Sequence, residues 1–311
     1  MPFSTAEAFA PASMGNVGVG FDILGLALEE PGDVVRATLR SAPGTAIVRI
    51  EGDSGALPID PQKNTAAVAA QAVLDTIGVQ QGVDLVLHKR LPLASGLGSS
   101  AASAVAAAVA VNALFGTPLT KEALLPACLE GEARVSGYHA DNIAPSLLGG
   151  IILIAGGHRV RRLPVPPGLW LGLITPDIAV PTVEARAVLP ETVPLALMTA
   201  QTAAVALLID ALYRGDISQM AAAMESDGIV EPARAHLMPR LAEVRAAAKQ
   251  VGALGVVISG AGPTLCAVCD SADIARSAAA AMKAEYDRVG IASSALHCQV
   301  GLEGARVLCV Q

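Results

Sequence analysis

Between Leu91 and Val109 the chain reads LPLASGLGSSAASAVAAAV, a knot of glycine and serine running into an alanine-rich segment without one charged residue. The segment after Gly98 has no internal glycine or proline, so it reads as a helix and not as disorder. A helix start leaves four backbone N–H groups without partners and carries partial positive charge. Glycines permit tight curvature and let a ligand approach the backbone. The serines are expected to cap the helix and to offer hydroxyls to phosphate or a metal. Ala101 and Ala102 keep the first turn low. That is the logic of a phosphate cradle, in which a branched side chain at Gly98 would fill the phosphate's place. The stretch is not the G-x-x-x-x-G-K-[ST] loop, because no lysine stands within it, and it is not a dinucleotide fingerprint. The alternative is an ordinary Gly-Ser turn.

Two more glycine-rich stretches bear on the choice. APASMGNVGVGFDILGLAL places Asn16 and Asp22 in an otherwise apolar segment, and VISGAGPTLCAV is a second tight loop between strands. Three small-residue loops suggest backbone crowded around a ligand. Three unrelated turns would leave Asn16 and Asp22 without a role.

The remaining pattern gives an opening strand in STAEAFAPAS, a loop through MGNVGVGFDILGLAL, and strands in DVVRATLR and TAIVRIEG. A helix follows in NTAAVAAQAVLDTIG, with Asn64 as N-cap and Gly78 as its stop. A strand in GVDLVLHKRL precedes the loop, and a helix capped by Thr120 follows it. Prolines cluster in LPVPPGLW, which sets a division into 1–165 and 166–311. Helices alternate with strands in both parts, but hairpin-like pairs occur too, favouring an α+β class over a doubly wound sheet. The few aromatics and abundant alanines fit small-faced helices packed closely on sheets.

The net charge of −7 argues against a sequence-independent grip on nucleic acid. Five scattered cysteines include a C-x-x-C pair, Cys266 and Cys269, in a strand-like run without a second ligand pair. Buried reduced thiols in a cytoplasmic protein follow. The N-terminus lacks a basic start and a long apolar core. The segment LALMTAQTAAVALLIDALY is interrupted by Gln201 and Asp210, so it reads as a buried helix and not as a membrane span.

PLASGLGSSAAS, with APASMGNVGVGFD before it and SGAGPT after it, resembles the three motifs of the GHMP kinases. The match runs from about Ala10 to Thr264. The stretches GYHADNIAP, TVEARAVLP and VEPARAHLMP resemble homoserine-binding signatures within that family. The chain departs slightly in SMGNVGVGFD and in SGYHADN, without losing a polar group. The resemblance implies an N-terminal domain like ribosomal protein S5 domain 2, a ferredoxin-like C-terminal domain, and ATP-dependent phosphorylation of L-homoserine with Mg²⁺ on the route to threonine. It implies that the triphosphate lies along Pro92, Leu93, Ala94, Ser95, Gly96, Leu97, Gly98, Ser99, Ser100, Ala101 and Ala102. Asn64 would sit in a loop that helps hold adenine and ribose, and Ser100 and Glu132 would hold Mg²⁺. Asn16, Asp22, His139, Asp141 and Asn142 would surround the amino and hydroxyl ends of homoserine. Thr182, Arg186 and Arg234 would lie at its carboxylate end.

Each of these residues has a plainer reading. Glu132 could be a solvated helix carboxylate, and Arg186 and Arg234 could pair with Glu184 and Glu231 at the surface. Asp141 and Asn142 could cap the helix IAPSLLGG. Yet one acid plus a serine loop meets the demand of Mg²⁺ for few carboxylates, hydroxyl oxygens, water and phosphate, and arginine forks suit a carboxylate. If Asn142 takes the substrate hydroxyl, an amide cannot accept its proton. Phosphoryl transfer tolerates that, because its transition state is loose and positioning dominates. Transfer without a dedicated base is favoured, with Asp22 and Asp141 as the other candidates. The competing functions are a kinase of the same family for another small alcohol such as mevalonate, and a non-catalytic sensor of nucleotide and amino acid. The sensor would be expected to have lost Glu132 or the serine pair. The sequence is compatible with a homodimer and implies neither a nucleic-acid nor a membrane partner.

Overall fold

The alanine-rich helix α2 (Ser99–Leu114) has no solvent face: every residue except Ser100 is buried. A charge anywhere along it would be buried and would need a partner, which accounts for the uncharged sequence. Its small side chains let it pack against β1 (Thr5–Gly15) and β2 (Leu24–Arg40) and also against α1 (Thr65–Ile77) and α3 (Lys121–Glu132). This computed structural model describes residues 3–135, 137–156 and 159–311.

The first sheet has seven strands. The order β11-β1-β2-β4-β3 joins β11 (Arg306–Val310), β4 (Gly82–His88) and β3 (Thr45–Glu51) to the first two strands, while β5 (Ile151–Ala155) pairs with β2 and with β6 (Arg159–Leu163). The second sheet runs β10 (Ser293–Cys298), β7 (Trp170–Pro176), β9 (Leu265–Cys269), β8 (Gly255–Ile258). Among the described residues only β3 and β4, joined through α1, are parallel. The mostly antiparallel pairing is the α+β arrangement expected. On the second sheet lie α7 (Ile217–Glu225), α9 (Leu241–Gln250) and α10 (Ala272–Asp287). Helix α10 buries Ala275, Ala278, Ala279, Met282 and Tyr286, a helical stripe facing the core.

Asn64 caps α1 by accepting from the amides of Ala66 and Ala67, Gly78 ends it in the left-handed region, and Thr120 caps α3. Four expectations need correction. Strand β2 begins at Leu24, because LGLAL is recruited by β5 and the end of β1. The division at 165/166 falls between β6 and β7, but the last strand, β11, returns to pair with β1 in the first sheet. Helix α2 has Gly98, not a serine, at its N-cap. Helix α6 (Leu195–Arg214) is not buried. Only Ala204, Leu208, Ala211 and Leu212 are buried, while Leu195 is 74% and Tyr213 67% exposed. Length and apolarity of α6 are sufficient for a membrane span, but Gln201 is bonded to Asp227 and the carbonyl of Val19, and Asp210 pairs with Arg214. Cys266 and Cys269 are buried and free, and burial pushes the Cys269 thiol up to about 12.

Candidate active site

The three small-residue loops meet. The Ser13 amide donates to the Leu97 carbonyl at 3.1 Å and the Gly260 amide to the Gly15 carbonyl at 3.2 Å. Asn16 Nδ2 donates to the Gly260 carbonyl at 2.9 Å, and Ser259 Oγ to the Gly96 carbonyl at 2.7 Å. Glycine is required where the loops touch. A Cβ on Gly96 would lie 2.3 Å from the Ser259 carbonyl oxygen, and Gly96 has φ +80°. A Cβ on Gly98 would meet Ser13 Oγ at 2.2 Å and Asn142 Oδ1 at 3.0 Å. A side chain at Gly98 therefore collides with Ser13 of β1 and with Asn142.

A cavity of about 330 Å³ opens between these loops, α3, and the segments carrying the arginines. Asn64, Leu93, Ala94, Ser95, Gly96, Gly98, Ser99 and Ser100 line one part of it. Glu132, the last residue of α3, is only 6% exposed and accepts a hydrogen bond from Ser100 Oγ at 2.9 Å. It is not a solvated carboxylate; Glu130, which accepts from Tyr138, is exposed. Gly98 offers no capping side chain, so the N-terminal turn of α2 faces the cavity without an internal cap. Pro92, Leu97, Ala101 and Ala102 do not line it; the last three are buried behind its wall.

Asn16, His139, Asp141, Asn142, Thr182, Arg186 and Arg234 line the other part. Helix α4 (Ala140–Leu148) has His139 at its N-cap, with Asp141 and Asn142 already inside its first turn. The capping role expected of that pair is thereby corrected: His139 holds the cap position, and among the described residues no side chain bonds the leading amides. Asn142 Oδ1 accepts from Ser13 Oγ at 3.0 Å, which leaves its amide nitrogen as the donor end. Asp141 is buried, and desolvation followed by the charge of Asp22 raises its carboxyl to about 7. Arg234 is 2% exposed, and its Nε and Nη1 donate to the carbonyls of Ala185 and Gly260. Burial, and then the charge of Arg186, lowers its guanidinium to about 10. Neither arginine takes the surface partner considered for it: Glu231 binds Arg245, and Arg186 donates to both oxygens of Asp22, at 2.7 and 3.1 Å. Asp22, with Nδ1 of His139 at 3.5 Å, is thus held against Arg186 and does not itself line the cavity. Two residues expected at opposite ends of one ligand touch each other.

Lys89 and Asp33 escaped the sequence reading. Lys89, 1% exposed, donates to Asp33, to the carbonyl and hydroxyl of Ser99 and to Ser103. Asp33 also accepts from Ser103 and from the amides of Arg90 and Leu91. This buried knot ties the end of β4 to the first turn of α2. Desolvation pulls the Lys89 pKa down, against the pull of Asp33. A lysine does stand beside the loop after all, nine positions before Gly98 instead of after it. The strand expected over GVDLVLHKRL ends at His88, which leaves Lys89 just beyond it. Asp33 and Lys89 lie 56 positions apart, so their pairing has no local signature.

The GHMP kinases N terminal domain family matches residues 64–150 and the GHMP kinases C terminal family residues 208–288. The homoserine kinase of Chloroherpeton thalassium is 41% identical over 314 aligned positions, covering 96% of this chain and 98% of that one. The crystal structure of homoserine kinase from Cytophaga hutchinsonii superposes with a TM-score of 0.95 at 41% identity, covering 98% of both chains. The L. major mevalonate kinase, solved in complex with R-mevalonate, shares the fold at TM-score 0.72 and 19% identity, covering 96% of this chain and 98% of that one. With its three converging loops and these relatives, the chain belongs to the homoserine kinases of the GHMP kinase family.

Proposed function

We infer that this chain transfers the γ-phosphoryl group of ATP to the side-chain hydroxyl of L-homoserine, giving O-phospho-L-homoserine and ADP in threonine biosynthesis. The observation that carries this reading is one cavity shared by an uncapped helix start, a buried carboxylate and two arginines. The triphosphate lies on the loop from Pro92 to Ala102, its charge met by the first-turn amides of α2. The hydrogen-bonded pair Ser100 and Glu132 supplies hard oxygens suited to Mg²⁺. When bound, Mg²⁺ neutralises charge on the phosphate oxygens. Asn64 uses both side-chain ends internally, on the amides of α1 and the Pro58 carbonyl, so it shapes the nucleotide side of the cavity.

The substrate carboxylate sits with Arg186, Arg234 and Thr182, and its ammonium with Asp22, Asn16 and His139. Binding then exchanges the Arg186–Asp22 pair for two pairs with the zwitterion. An acid without an ammonium, such as mevalonate, would take Arg186 and leave Asp22 without its partner, an unfavourable outcome in a desolvated site. Asn142 orients the hydroxyl, and the proton leaves through a phosphate oxygen without a dedicated base. Phosphorus NMR of a reaction with ATP and L-homoserine tests the reaction directly: a new phosphomonoester resonance coupled to the homoserine γ-methylene is expected, and inorganic phosphate as the sole product contradicts it. The enzyme is read as cytosolic, in keeping with four buried free thiols.

Two predictions arise here. Lys89→Met removes one partner of a buried pair and destabilises the protein by about 3–5 kcal/mol. Adding Asp33→Asn restores much of that stability, while the KM for ATP stays raised about tenfold in both variants because Ser99 has lost its anchor. Melting curves and nucleotide kinetics on the same proteins check this; an ATP KM that recovers with stability would make the knot purely structural. The second concerns pH. With its carboxyl near 7, Asp141 is neutral below that value and charged above it. The unfolded chain gives up this proton nearer pH 4, so raising pH from 4 to 7 costs stability. A charged Asp141 strengthens the acidic side of the substrate site, so the KM for homoserine falls as pH rises through 7. Asp141→Asn is expected to flatten that profile, and an unchanged profile assigns the titration elsewhere.

A further inference from the structure

Phe21 stands in the β1–β2 loop, beside Asp22, and lines the cavity. The guanidinium carbon of Arg186 is 5.3 Å from the centre of its ring and that of Arg234 is 5.4 Å away. Both lie within the range in which a cation is attracted to the negative face of an aromatic quadrupole. Two guanidiniums held this close repel each other. Around them Asp22 hydrogen-bonds Arg186, two carbonyls bind Arg234, and the Asp141 carboxyl acts on both. Each arginine also keeps a donor in reserve. Arg186 Nε is buried without a partner, and Arg234 uses only Nε and Nη1 among the described residues.

We propose that Phe21 is a positioning residue of the substrate site, holding the guanidiniums of Arg186 and Arg234 beside one another so that their spare donors serve one carboxylate. The chemistry favours a phenyl ring over an acid here. A carboxylate in the place of Phe21 would pair with the arginines and compete with the ligand. An aromatic face attracts both cations, carries no net charge and takes none of their N–H donors. A methyl-bearing aliphatic side chain would fill the space without attracting either cation. The inference rests on the reading of the cavity as an L-homoserine site and adds to it a device that sets carboxylate affinity.

The test is a series in which Phe21 is replaced by 4-fluoro-, 3,4,5-trifluoro- and pentafluorophenylalanine, together with Phe21→Leu and Phe21→Tyr. Fluorination drains the ring face with little change of shape, so it separates cation attraction from packing. The KM for L-homoserine is expected to rise stepwise to about tenfold at pentafluorophenylalanine and at least as far in Phe21→Leu, and to stay within about twofold in Phe21→Tyr. The KM for ATP and kcat are expected to stay within about threefold throughout, since only the amino-acid end is touched. A homoserine KM that is flat across the fluorinated series, or that rises in step with the KM for ATP, overturns the proposal even if Phe21→Leu is impaired or fails to fold. Absence of homoserine turnover in the unsubstituted enzyme overturns the underlying reading and this proposal with it, an outcome distinct from normal turnover with a flat series.

Discussion

Glu132→Gln lowers kcat about a hundredfold, the loss of about 3 kcal/mol of transition-state stabilisation typical of one buried electrostatic group. The substitution keeps the shape of the side chain, and the amide oxygen can still accept from Ser100 Oγ. It removes the charge from a carboxylate that is 6% exposed and faces the loop reserved for phosphate. The amino-acid end of the cavity is built by other residues, so the homoserine dissociation constant measured by calorimetry stays nearly unchanged. Glu132→Asp shortens the reach to Ser100 and is expected to retain partial activity at raised Mg²⁺. Turnover equal to that of the parent enzyme in Glu132→Gln at saturating Mg²⁺ would show that the carboxylate serves only to hold Ser100.

Arg234→Leu raises the KM for homoserine about thirtyfold or more and leaves the KM for ATP within about twofold. Truncating one partner of a desolvated charged hydrogen bond costs about 2–5 kcal/mol. Arg234 also braces the carbonyls of Ala185 and Gly260, and Ala185 precedes Arg186. The Gly260 carbonyl keeps Asn16 Nδ2 as a donor, but the Ala185 carbonyl loses Arg234, so about 1–3 kcal/mol of stability is lost as well and melting curves must accompany the kinetics. Asp22→Asn frees Arg186 from its ion pair. Its homoserine KM rises too, but discrimination against analogues lacking the amino group weakens more than in Arg234→Leu. L-Threonine carries the same ammonium and carboxylate, so its competition with homoserine weakens in parallel in both variants. An Arg234→Leu enzyme with unaltered homoserine kinetics would remove the clamp.

What could be read along the chain was local. The Asn64 and Thr120 caps, the left-handed stop at Gly78 and the uncharged helix after Gly98 each depend on residues within one turn of each other. The convergence of the three loops was legible as an unexplained coincidence of glycines, and Asn16 proves to be the polar tie between two of them, bonding the Gly260 carbonyl. What was not legible depends on pairing across long separations. Asp22 was expected at the ammonium and Arg186 at the carboxylate, but 164 positions of chain fold back to bring them into contact. The return of β11 to β1 rests on a register that no periodicity encodes. Helix α6 misled for a simpler reason. Apolar composition signals burial only when some neighbour covers the helix, and in this chain α7 covers one narrow edge.

Coupled ADP release measured on one preparation with L-homoserine, mevalonate and galactose tests the central claim most directly. The exchange of the Arg186–Asp22 pair for a zwitterion predicts a kcat/KM for L-homoserine at least about a hundredfold above that for either other alcohol, the margin expected when a wrong ligand leaves a half-buried charged group unpaired. Mevalonate turned over as efficiently as L-homoserine, or ADP released at the same rate without any alcohol, would contradict it.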